Sequence, residues 1–165
     1  DRISQLVVKK LFGTVSGKKI SILGFAFKAN TNDTRESASI KICKDLLEEG
    51  ANLSIHDPKV DSDQIAKDLK MKEKKSFKTN KLIKENSQEG NWYFSDEIYE
   101  SINNADAVLV LTEWEYNKYI KGDQIVRIIV KPAWVFDARS IVKVDVFKKT
   151  GINFWCLDDG SSKMK

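Results

Sequence analysis

The chain has 165 residues, 41% of them hydrophobic and 32% charged, with a formal net charge of +4. That is room for one domain of roughly 100 to 200 residues and too apolar a composition for a disordered chain. No stretch approaches the roughly 18 uninterrupted apolar residues of a membrane span, and no basic-then-apolar leader precedes a cleavage site. Cys43 and Cys156 lie too far apart for CxxC or metal-ligand spacing. A cytoplasmic protein with reduced thiols, no metal and no membrane contact is expected.

In chain order, Ile3, Leu6, Val7, Val8 and Leu11 repeat at helical spacing without a clear start signal. Residues 1 to 12 therefore read as the tail of a longer helix, and residues 13 to 157 as one domain. Gly13 to Gly17 breaks the helix, and Ile20, Ile22, Leu23 and Phe25 form a short apolar strand, followed by a polar loop from Lys28 to Thr34. Asp33 and Glu36 fit a capping box for a helix with Ala38, Ile42, Cys43, Leu46 and Leu47 on one face, ending at Gly50. Leu53 and Ile55 begin a second strand, which stops at Asp57 and Pro58 because proline ends ladder pairing.

Asp61 to Leu69 suits a short helix, after which periodicity is lost over residues 70 to 90. Between Lys67 and Lys84 eight lysines face only Asp68 and Glu73, a local charge of +6; removing it from the total of +4 leaves −2 for the other residues. With one aromatic, Phe77, and no arginine, the segment lacks the forks and stacking rings used to read bases. It is expected to be a solvated, mobile insertion, and nucleic acid is not an expected partner. Trp92 to Phe94 suits a strand, Asp96 to Ile102 a helix, and Ala107 to Leu111 is the most apolar run in the chain. A continuous apolar run fits a central parallel strand covered on both faces. Ile125 to Val130 reads as helix, Pro132 to Phe136 as strand, Val142 to Lys148 as helix or turn and Ile152 to Trp155 as a last strand, with a flexible tail over 158 to 165. Strand and helix alternating in this way imply a doubly wound, mostly parallel α/β sheet with helices on both faces.

Ligands of such sheets bind beyond the carboxyl ends of the strands, near the switch in strand order. Three stretches meet there: Phe25 to Arg35, Thr112 to Trp114 and Asp137 to Ser140. The first occupies the place of a Rossmann phosphate loop but reads Gly24-Phe-Ala-Phe-Lys28-Ala, without the glycines that let backbone approach a pyrophosphate. Asp57 imitates the acid that takes a ribose hydroxyl, yet it also suits a turn before Pro58. Lys28, Arg35 and Arg139 are cations placed for an anion, with solvated charges, or an Arg139 pair with Asp137, as the plain alternatives. Glu113 and Trp114 could line the same crevice, Trp114 more readily as core. His56 reads as a surface or strand-end residue with no nucleophile assigned to it. No catalytic residue can be named from these patterns.

The run from Gly24 to Ser37, GFAFKANTNDTRES, resembles the signature that opens the carboxyl-terminal domain of UDP-glucose 6-dehydrogenases. Asp57-Pro58, Thr112-Glu113-Trp114 and Lys131 to Arg139 follow in the family's order. Ala138 stands where the family often has glycine, and the lysine-rich insertion has no counterpart. The resemblance implies a Rossmann-like domain holding UDP-glucose, with Phe27, Lys28 and Arg139 at the UDP-sugar and Arg35 at NAD. It further implies a full chain with a separate NAD domain, a dimerising central helix, a homo-oligomeric assembly and a cysteine thioester, and a partial chain without activity of its own. Neither cysteine here matches that nucleophile's motif. Sister enzymes acting on GDP-mannose or UDP-N-acetylmannosamine share the pattern, and a binding module using its lysine segment is the reading from another class.

Overall fold

The computed structural model describes residues 2–74, 90–114, 120–130, 132–140, 142 and 150–156. Within them the chain runs α1 (Arg2–Lys10), β1 (Lys19–Leu23), α2 (Ala38–Glu48), β2 (Asn52–His56), α3 (Ser62–Leu69), β3 (Asn91–Phe94), α4 (Ile98–Ile102), β4 (Ala107–Val110), α5 (Gly122–Ile128), β5 (Trp134–Asp137) and β6 (Asn153–Cys156). The strands form one sheet in the order β3-β2-β1-β4-β5-β6, every pairing parallel. The doubly wound sheet expected from the alternating pattern is therefore the fold, and its order reverses between β1 and β4.

Side chains alternate faces along each strand, and the two faces bury separate cores. Ile20, Ile22, Leu53, Ile55 and Leu109 pack with Val7, Leu46 and Ile65 of α1, α2 and α3. Leu23, Val108, Val110 and Val135 pack with Ile102 and Ile125 of α4 and α5. All four residues of β4 are buried, as a central strand covered on both sides requires. Polar exceptions are matched: Ser21 Oγ lies 2.7 Å from Ser101 Oγ, and the Ser54 hydroxyl donates to the Ser101 carbonyl at 2.6 Å, tying α4 across β1 and β2. Cys43 is fully buried on α2, which pushes its thiol pKa upward through desolvation. The α1 helix lies back on its own domain, with Val7 buried and the Ser4 hydroxyl donating to Asp45 Oδ2 at 3.0 Å. No helix among the described residues is long and apolar enough to cross a membrane.

Two local readings change. The capping box of Asp33 and Glu36 does not form. Ser37 is the cap, its hydroxyl accepting from the Ser39 N–H at 3.2 Å, and Glu36 has φ 61°, outside helical space. Asp33 instead accepts from the Arg35 N–H and guanidinium. At the start of the lysine-rich stretch, residues 71 to 74 are fastened to β3: Trp92 Nε1 donates to the Met71 carbonyl, Phe94 N–H to Glu73 Oε2 and Lys74 N–H to the Trp92 carbonyl. The rest of that stretch, the helix or turn from 143 to 148 and the tail lie outside the described residues.

Candidate functional site

Because β1, β4 and β5 are neighbours in parallel register, the three loops beyond Leu23, Val110 and Asp137 meet at one end of the sheet. Backbone bonds continue the pairing past the strand ends: the Gly24 N–H donates to His56 O, Leu111 N–H to Leu23 O and Ala138 N–H to Val110 O. A groove of about 540 Å³ lies instead between α1 and the last turns of α2. Strand order, not volume, selects the site.

The first loop is closed by its own protein. Gly24 donates to His56, and its carbonyl accepts the Ser39 hydroxyl at 3.0 Å. The Phe25 and Ala26 N–H groups donate to Asp57 Oδ2 at 2.8 and 3.0 Å. The Phe25 carbonyl accepts from the Ser37 hydroxyl and the Ala26 carbonyl from Thr112 Oγ1, both at 2.9 Å, while the Phe27 N–H donates to Asp33 O at 2.7 Å. Buried backbone groups must find partners, and here each one from Gly24 to the Phe27 N–H has found it inside the chain. A ligand beyond β1 then finds no free N–H group from Gly24 to Phe27. The loop passes so close to β4 that only glycine fits at 24: φ is 107°, and a Cβ would lie against the Thr112 side chain and 2.6 Å from its backbone nitrogen.

The side chains offered are those of Phe27, 45% exposed, and the exposed Lys28. Arg35 lies three residues before α2 rather than opening it. Its 88% exposed guanidinium clasps Asp33 through two bonds of 2.9 and 3.0 Å. That side-chain bond, aided by the Arg35 N–H and the Lys28 charge, lowers the Asp33 pKa to about 2. Beyond β5, Arg139 does not pair with the Asp137 carboxylate by its side chain. Its backbone N–H donates to Asp137 Oδ1 at 3.0 Å, and its guanidinium reaches across to Glu113 Oε1 beyond β4 at 2.9 Å. Trp114 is core, as its composition suggested, and its Nε1 donates to Asp57 at 3.3 Å. His56 is buried at the end of β2, its Nδ1–H donating to Ser95 O at 2.9 Å. Cys156 is partly buried on β6, with Sγ 3.0 Å from Ser140 Oγ.

This fold has known counterparts. Residues 21–144 match the model of the UDP-glucose/GDP-mannose dehydrogenase family, UDP binding domain. The chain belongs to this family. It is 38% identical over 154 residues to UDP-glucose 6-dehydrogenase of Drosophila melanogaster, covering 92% of this chain and 30% of that protein. To the UDP-glucose 6-dehydrogenase of Pongo abelii it is 41% identical over 142 residues, covering 86% and 27%. The chain thus spans about 30% of the length of these relatives. Its fold matches the solved NDP-N-acetyl-D-galactosaminuronic acid dehydrogenase from Methanosarcina mazei Go1 with a TM-score of 0.69 at 22% identity, over 94% of this chain and 28% of that one. The chain is a UDP-binding domain homologous to UDP-glucose 6-dehydrogenases.

The sequence points to the loops beyond β1, β4 and β5, but its turn reading of Asp57 covers only part of what that side chain does. Both of its oxygens are engaged, Oδ1 by the Lys59 and Val60 N–H groups at 2.8 and 3.0 Å. The turn reading covers those two bonds alone. The signal for the others was the strand pairing: Leu23 opposite His56 sets Asp57 beside Gly24.

Proposed function

We propose that this domain holds the nucleotide diphosphate of a UDP-sugar within a longer enzyme that oxidises UDP-glucose to UDP-glucuronate with NAD. Lys28 and Arg139 take the diphosphate, and the half-exposed ring of Phe27 lies against the rest of the nucleotide sugar. The observation that supports this reading is the sealed first loop, which offers an anion no N–H group from Gly24 to Phe27 and carries the exposed Lys28 cation immediately after it. Charge-assisted contacts of this kind are short and strong. Arg139 does so by turning its guanidinium from Glu113 towards phosphate. The pair is exposed enough, 38% and 46%, to make the exchange inexpensive.

The residues beyond β1 do not fit NAD as a primary site, since the two N–H groups a pyrophosphate would need already serve Asp57. In this reading NAD is held mainly by another domain and reaches this one at Arg35, and the oxidation draws its nucleophile from outside this chain. The parent enzyme works as a homo-oligomer in the cytoplasm, and the lysine-rich segment takes no part in holding the sugar nucleotide.

Calorimetry of the chain with UDP, GDP and NAD tests the assignment. Weak binding with a preference for UDP is expected. Lys28→Ala or Arg139→Ala should each cost roughly 1.5 to 3 kcal/mol, the worth of a hydrogen bond to a charged group. A preference for NAD, or UDP binding indifferent to both substitutions, overturns it.

A further inference from the structure

The residue that seals the first loop touches no ligand in the proposed function, yet among the described residues it accepts the most hydrogen bonds at this end of the sheet. Asp57 is 3% exposed and accepts five N–H groups from three loops: Phe25 and Ala26 beyond β1, Lys59 and Val60 beyond β2, and Trp114 beyond β4. In a dinucleotide-binding sheet the N–H groups beyond the first strand face a pyrophosphate, and the acid ending the second strand faces a ribose. Here the acid is turned onto the N–H groups, so one side chain occupies both places.

We propose that Asp57 is a built-in anion standing where a dinucleotide's pyrophosphate would lie, closing that position and acting as the positioning residue that presents Phe27 and Lys28 to the nucleotide sugar. Ala26 is anchored to Asp57 one residue before Phe27, and the Phe27 N–H passes the order on to Asp33 and its Arg35 clasp. All five partners are donors, so an amide cannot replace the carboxylate. Whichever way it is turned, its NH₂ meets at least two N–H groups. The presentation of the loop rests on the reading above for its ligand; the closure of the dinucleotide position does not.

Amide hydrogen exchange on the unmodified chain is the first test. The Phe25 and Ala26 amides are expected to be protected without ligand and to gain no more from UDP or NAD than the slowest amides of the central strands, whose gain reports ligand-linked global stability. Protection there beyond that shared gain overturns the proposal, because the nucleotide would then occupy the position assigned to Asp57. The second test compares Asp57→Asn with Ser54→Ala, which removes a buried hydroxyl on the same strand that does not touch the loop. Compared at matched distance below their unfolding midpoints, Asp57→Asn should speed exchange at Phe25 and Ala26, and weaken UDP binding, each by about tenfold or more beyond the control, the size of one lost hydrogen bond to a charged group. In the Asp57→Asn background, Lys28→Ala should then cost less than it does in the parent. Exchange and affinity equal to those of Ser54→Ala would reduce Asp57 to a structural residue. If the parent binds no UDP, the nucleotide-sugar reading fails while the exchange data still judge the closure; if Asp57→Asn does not fold, the measurement on the unmodified chain decides.

Discussion

The loops beyond β1 and β5 carry the same kind of residue, a cation offered to an anion, and a buried carboxylate fastens the backbone of each, but the first is tied more densely and the cation of the second is already paired. Beyond β1, buried hydrogen bonds to Asp57, Ser37, Ser39 and Thr112 fasten the backbone from Gly24 to Ala26. Beyond β5, Asp137 accepts from the Arg139 and Val142 N–H groups and the Ala138 N–H donates to Val110 O, while the guanidinium itself is held by an exposed pair with Glu113. Breaking a buried bond leaves a desolvated group unpaired and costs about 1 to 3 kcal/mol. Breaking an exposed pair costs about 0 to 1 kcal/mol, because water replaces the partner. On the proposed reading the element that yields is the Arg139 side chain, and ligand-driven rearrangement is expected at its exposed pair with Glu113.

The contrast breaks most severely at Gly24. Gly24→Ala puts a Cβ against Thr112 at φ 107°, combining backbone strain with overpacking, and a loss of roughly 3 kcal/mol or more is expected in denaturant unfolding. Adding Thr112→Ala should recover only part of that loss, since the Thr112 backbone nitrogen stays 2.6 Å from the new methyl. Full recovery would show the approach of the two strand ends to be looser than described.

At that exposed pair, Glu113→Gln should change unfolding stability by less than about 1 kcal/mol and strengthen UDP binding, by releasing Arg139 from a competing carboxylate. Calorimetry at low and high salt checks this. A weaker affinity would mean that Glu113 presets Arg139 and that this side chain does not yield.

The smallest effect concerns acid. Asp33, lowered from 3.8 to about 2 chiefly by the Arg35 side-chain bond, keeps its clasp above its ordinary pKa and loses it as pH falls through the window from about 4 to about 2. A carboxyl carbon-13 titration should place the Asp33 midpoint near the low end of that window, and Arg35→Ala should return it towards the ordinary value. The Asp57 bonds to Phe25 and Ala26, read from the same spectra, should not respond to that substitution. If they do, the clasp and the sealed loop act as one unit.

Much of this molecule was legible in its residues. The short apolar stretches Ile20 to Phe25 and Leu53 to Ile55 and the continuous apolar run Ala107 to Leu111 marked strands, because length and apolar pattern are local properties of the chain. The positions of Lys28, Arg35 and Arg139 just past strand ends marked the candidate site, because a parallel sheet collects such ends on one side. Three features were out of reach of local patterns. Ser37 caps α2 in place of Asp33 because Arg35, two residues along, takes the Asp33 carboxylate. Arg139 pairs with Glu113, 26 residues away, because β4 and β5 are adjacent and in register. Asp57 seals the first loop because the order β2-β1-β4 sets the donors of Phe25, Ala26 and Trp114 around it. Element type and the placing of cations at strand ends follow from spacing along the chain. Which donor a carboxylate takes depends on which loops share its end of the sheet, and that is settled only when the strands have chosen their neighbours.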